Sequence, residues 1–115
     1  MVMANVYYKK TVASFPLALK TARTALGWSQ SDLANLAKLS KTTIARFETF
    51  EGGMRLDNFK MILRLFKEHG VSVRFSDGDV FTVDVSMMAV ESVLNRSNDE
   101  SNRRSDRKKK RVKNV

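Results

Sequence analysis

Cysteine is absent from the 115 residues, which removes disulfide scaffolds, thiolate nucleophiles and Cys-ligated zinc or iron–sulfur centres. Histidine occurs once, so a multi-His metal site cannot be assembled. No apolar run approaches the roughly 20 residues needed to cross a bilayer. Met1 to Lys10 lacks the basic-then-apolar order of a secretory signal. The expected setting is therefore the cytosol. A Gly-rich phosphate loop, a nucleophile paired with a base and paired carboxylates on one helix face are all missing, so neither catalysis nor a cofactor nor a metal is expected.

What is plentiful is positive charge. Lys and Arg number 21 against 12 Asp and Glu, a net +9, which favours a polyanionic partner. The charge is uneven: residues 96–115 hold nine basic and three acidic side chains, against twelve and nine in residues 1–95. The last 20 residues contain no Leu, Ile, Phe, Met, Trp or Tyr, and cannot bury enough apolar surface to offset the entropy of ordering. Residues 96–115 are expected to be a disordered basic tail. Its run Arg107, Lys108, Lys109, Lys110 and Arg111 suits non-specific contact with phosphates.

Hydrophobic spacing divides the rest. Residues 1–13 are mixed, and Val6, Tyr7 and Tyr8 fit a short strand or a loose arm; 1–13 is taken as an N-terminal arm. Ser14 as a cap and Pro16 in a first turn open a helix over about 15–26, with Leu19, Ala22 and Leu26 on one side and Gly27 closing it. Ser29 caps a second helix, with Asp32 three residues on as an approximate capping-box partner. Ser40 opens a third, with Ile44 and Phe47 on its buried face, and Gly52 and Gly53 follow. A fourth spans about Asp57–His69 on the stripe Phe59, Ile62, Leu63 and Phe66. The period then becomes two. Val71, Val73 and Phe75 alternate with polar residues, as do Phe81, Val83 and Val85, and Asp77-Gly78 between them favours a tight turn. Asp77 and Asp79 are expected to be turn residues. A last helical piece covers about 86–95, with Met87, Val90 and Leu94 on one side.

Two short helices joined by a few residues, the second rich in small polar and basic side chains, suggest a helix-turn-helix. The major groove of B-DNA, about 12 Å wide, admits one helix. That helix must be polar outside and braced inside, here by Leu33, Ala34, Ala37, Ile44 and Phe47. Arg46 can offer a bidentate fork to guanine and Lys41 a point charge to the same acceptors. The methyl of Thr42 or Thr43 can meet that of thymine. Trp28 is expected to pack, not to stack on bases.

Leu26-Gly27-Trp28-Ser29-Gln30, Ala34, Leu39-Ser40, Ile44 and Phe47-Glu48 together resemble the lambda-repressor-like (Cro and xenobiotic-response-element type) helix-turn-helix family. The likeness covers about residues 15–70 and extends loosely into Gly70–Gly78. It implies a helical bundle with a helix-turn-helix over 14–70; with the C-terminal β-hairpin and short helix read above over 71–95, the expected fold is mainly α. It implies double-stranded DNA as partner, with Gln30 gripping phosphate, Lys41, Thr42 and Arg46 reading bases, and Ser40 and Thr43 beside them. Glu48 is expected to have a structural role. Lys38 stands where the family usually has Gly, at a cost of about 1 kcal/mol if φ is positive. The implied function is a transcription regulator, a repressor acting as a homodimer on a palindromic operator; 71–95, which follows the reading unit and carries spare apolar residues, is the candidate dimerisation element. The alternative is an antitoxin that also binds a toxin protein.

Overall fold

The computed structural model describes residues 2–76 and 80–99, with the backbone alone for 2–13. The order of elements is α1 (Val2–Ala25), α2 (Gln30–Ala37), α3 (Lys41–Glu48), α4 (Leu56–Glu68), β1 (Val71–Phe75) and β2 (Phe81–Val85). A fifth helix, α5, covers 87–99. The fold is mainly helical, a helix-turn-helix bundle followed by a two-stranded antiparallel hairpin and a C-terminal helix.

The first helix corrects the expectation of an N-terminal arm. It begins at Val2, so Ser14 lies inside it, and Pro16 is internal and buried. Proline fixes φ at a helical value and forfeits one hydrogen bond, a loss that a long helix anchored by packing can absorb. Residues 2–13 contain neither Gly nor Pro and offer no stop signal. The stripe Leu19, Ala22 and Leu26 is buried as its spacing requires.

The capping box of α2 is complete. The backbone N–H of Asp32 donates to Ser29 Oγ at 2.9 Å, and the N–H of Ser29 donates to Asp32 Oδ2 at 2.8 Å. That donor from the Ser29 backbone is the main reason the Asp32 carboxyl is held below its ordinary range. Lys38 ends the helix at φ 56° and ψ 41°, the left-handed conformation foreseen for it. Leu39 N–H then reaches back to the Ala34 carbonyl at 3.0 Å, turning the chain into α3. Leu33, Ala34, Ala37, Ile44 and Phe47 are all buried between the two helices and their neighbours.

The hairpin register pairs Val71 with Val85, Val73 with Val83 and Phe75 with Phe81. These six residues share one face, and the opposite face carries Ser72, Arg74, Thr82 and Asp84, with Arg74 Nε 2.9 Å from Asp84 Oδ2. The apolar face closes over α1 and α4 through phenylalanine rings. Phe15 stacks on Phe59 at 4.9 Å and meets Phe75 edge-on at 5.0 Å. Trp28 packs against Phe66 and His69, as a core residue should.

The last helix runs past the expected limit of Asn95 to residue 99, so 96–99 belong to α5 and not to a disordered tail. Ser86 caps it, its Oγ accepting from Ala89 N–H, while its own N–H donates to the Gly70 carbonyl at 2.8 Å. Ala89 is fully buried, and Arg96 Nη2 stands 3.6 Å from Asp32 Oδ2. That last contact gives Arg96 a structured partner that composition alone does not reveal. Asp77, Gly78 and Asp79, and the run Arg107–Arg111, lie outside the described residues.

Lys38 holds a torsion that glycine adopts without steric cost. Lys38→Gly is expected to stabilise the protein by about 0.5–1 kcal/mol, less glycine's entropy in the unfolded chain, read as a higher urea midpoint with an unchanged slope.

Candidate nucleic-acid interface

An eight-residue helix is too short to stand alone in water, so α3 depends on its ends and its inner face. At the start, Ser40 Oγ accepts from Thr43 N–H at 3.0 Å. The two hydroxyls, Ser40 Oγ and Thr43 Oγ1, are also 2.7 Å apart. Ser40 and half-buried Thr43 thus serve each other first. At the far end, Thr49 Oγ1 donates to the Ala45 carbonyl at 3.0 Å, and the backbone N–H groups of Glu51 and Gly52 both donate to the Arg46 carbonyl.

The inner face carries Ile44, Phe47 and Glu48. Glu48 is only 5% exposed, which a carboxylate tolerates only when fully paired. Its two oxygens take a bidentate fork from Arg23 on α1, Nε to Oε2 at 2.7 Å and Nη2 to Oε1 at 2.8 Å. Gln30 Nε2 on α2 donates to the same Oε1 at 3.1 Å, and Arg23 Nη1 donates to the Trp28 carbonyl at 2.7 Å. One buried carboxylate therefore joins α1, α2 and α3. This is the structural role foreseen for Glu48. Sequence reading did not find Arg23 as its partner, because 25 positions separate them and no local spacing links them.

The outward face is the opposite in character. Lys41, Thr42 and Arg46 are exposed, and neither Lys41 nor Arg46 makes an ion pair among the described residues. The loop 50–53 folds back beside them. A Cβ on Gly52 would sit 3.3 Å from Arg46 Cβ, so glycine lets the loop lie against the arginine stem. Arg46 Nη2 is 3.5 Å from the Glu51 carbonyl, at the outer limit of a hydrogen bond. Thr42, Thr43, Arg46, Gly52 and Gly53 line a shallow hollow of about 300 Å³.

Of the six residues selected from sequence, Lys41, Thr42 and Arg46 thus form one accessible face. Ser40 and Thr43 stand at its start, engaged with each other, and Gln30 is tied to Glu48. Such a face offers cationic donors that form no ion pair among the described residues, and a hydroxyl, on a rigid support, the chemistry that base edges and phosphates accept.

Removing the shared carboxylate should be felt by all three helices. Glu48→Ala leaves a buried guanidinium unpaired and is expected to cost about 3–5 kcal/mol, measured by urea denaturation. Glu48→Gln, which keeps an acceptor, should cost less.

Among the described residues, no helix is long and apolar enough to cross a membrane. A search of the curated proteins finds no match to this chain. The model of the helix-turn-helix family matches residues 19–73, which run from the buried stripe of α1 to the middle of β1. The capped α2, the turn at Lys38 and the braced α3 all lie within that match, and residues 19–73 are a helix-turn-helix domain of the lambda-repressor-like, xenobiotic-response-element type, the domain of a DNA-binding transcription regulator.

Proposed function

We propose that the protein is a sequence-specific transcriptional repressor that binds a palindromic operator as a homodimer, with α3 in the major groove. The observation that carries this reading is the outward face of α3. Lys41, Thr42 and Arg46 project from a helix fixed at both ends and along its inner side, and among the described residues no carboxylate pairs with either cation. In this reading Arg46 bonds guanine, Lys41 reaches the same acceptors, and Thr42 offers a methyl or a hydroxyl. Gln30, Ser40 and Thr43 serve at the phosphates. The run Arg107, Lys108, Lys109, Lys110 and Arg111 adds sequence-independent attraction, weakened by salt as counterions compete.

One helix reads too few base pairs to specify a site, and two copies about one helical turn apart, roughly 34 Å, remedy this. Support for a dimer comes from α5. Its inner side, with Ala89 and Arg96, is docked on the domain. Its outer side presents Met87 (69% exposed), Val90 and Leu94 (56% exposed) at positions i, i+3 and i+7, an apolar stripe that the described residues leave exposed. The same stripe would suit a toxin protein, the second reading. A wild-type chain that is monomeric in solution favours that alternative.

Random-site selection with the full chain is expected to return a palindrome. Arg46→Ala should then cost about 1–3 kcal/mol of binding and relax the preference at one base position in each half-site. An equal loss on every sequence makes Arg46 a phosphate contact instead. Leu94→Glu, on the outer side of α5, should give a monomer by sedimentation. It should also lower affinity for the palindrome by about a hundredfold or more, as the linked second site is lost. A dimer that survives the substitution removes α5 as the interface.

A further inference from the structure

Six of the seven phenylalanines, Phe15, Phe47, Phe59, Phe66, Phe75 and Phe81, lie in aromatic ring contacts. The seventh, Phe50, makes none among the described residues and is 61% exposed. It also occupies a backbone position that disfavours it. Its φ is 63°, the left-handed region that glycine and asparagine enter readily and that a bulky side chain rarely does. The turn imposes that torsion: Phe50 N–H donates to the Phe47 carbonyl, and the next two N–H groups both return to the Arg46 carbonyl. A large apolar ring is therefore held in water on a strained backbone, at a position where glycine would serve the fold better. Neither packing nor turn chemistry explains it.

Its position does suggest a partner. Phe50 follows α3 by two residues, and its loop is seated on the stem of Arg46, bordering the same hollow as Thr42 and Thr43. Eight residues of helix are about 12 Å long, close to the width of the major groove. With Lys41, Thr42 and the long side chain of Arg46 reaching the base edges, the backbone that follows α3 emerges at the groove wall, where deoxyribose carbons offer an apolar surface. Glu51 beside it is exposed and negative, so the attraction of this loop to DNA has to be non-ionic.

We infer that Phe50 is a further DNA-contacting residue, its ring lying against the sugar–phosphate backbone at the edge of the groove that α3 enters. This rests on the reading of α3 as the groove-entering helix. The contact adds affinity without selecting bases and without displacing counterions.

The test uses the full chain and the operator returned by site selection. Phe50→Gly should unfold at a temperature at least as high as wild type, because strain is relieved. It should bind about tenfold more weakly to operator and to unrelated duplex alike, the loss of one large apolar contact. The preferred sequence and the slope of log affinity against log salt should not change, since an uncharged residue is removed. Phe50→Asn, which also accepts the torsion, should match Phe50→Gly, and Phe50→Tyr should bind as wild type does. Unchanged binding by Phe50→Gly overturns the inference, as does an altered base preference or a shallower salt slope, while the reading of α3 survives. A wild-type chain that selects no sequence overturns the reading of α3 and, with it, the role given to Phe50.

Discussion

The bidentate pair between Arg23 and Glu48 organises the domain. Apolar contacts fix how closely α1, α2 and α3 approach, but they are non-directional and tolerate sliding. A carboxylate that must accept a guanidinium fork from α1 and an amide from α2 allows one relative placement of the three helices. Burial is what makes the constraint strong. In water the pair would be worth little; here both side chains are shielded, and each would be costly to strand. The direction that α3 faces follows from this junction and from Ile44 and Phe47 beside it.

Much of this was legible in the residues. Ser29 and Ser40 cap their helices as small hydroxylated residues before an apolar stripe should, and Leu33, Ala34, Ala37, Ile44 and Phe47 are buried as their spacing requires. The left-handed torsion at Lys38 followed from its place in the motif. The hairpin followed from the change of period at Val71. Local rules succeeded because each of these features is decided within a few residues.

The failures share a different cause. Pro16 reads locally as a helix start, yet packing keeps it inside α1. Asn95 reads as an end, yet Asp32, 64 positions earlier, meets Arg96 and the helix continues. The Glu48 network and the aromatic bridge from Phe15 to Phe59 and Phe75 likewise join distant segments. At the candidate site the sequence marked which residue types were suitable. It did not reveal that Ser40 and Thr43 are engaged with each other, that Gln30 is held by Glu48, or that Gly52 lets a loop rest on Arg46. Those facts are properties of contact, and contact is set by the tertiary arrangement.

The stabilising contacts of α3 are confined to its caps and its inner side, while Lys41, Thr42 and the guanidinium of Arg46 carry almost none of the fold's cohesion. Exchanges at those outward positions can therefore accumulate with little penalty in folding. A lineage built on this scaffold has room to change what α3 presents by rewriting a handful of exposed side chains, leaving the architecture beneath them intact.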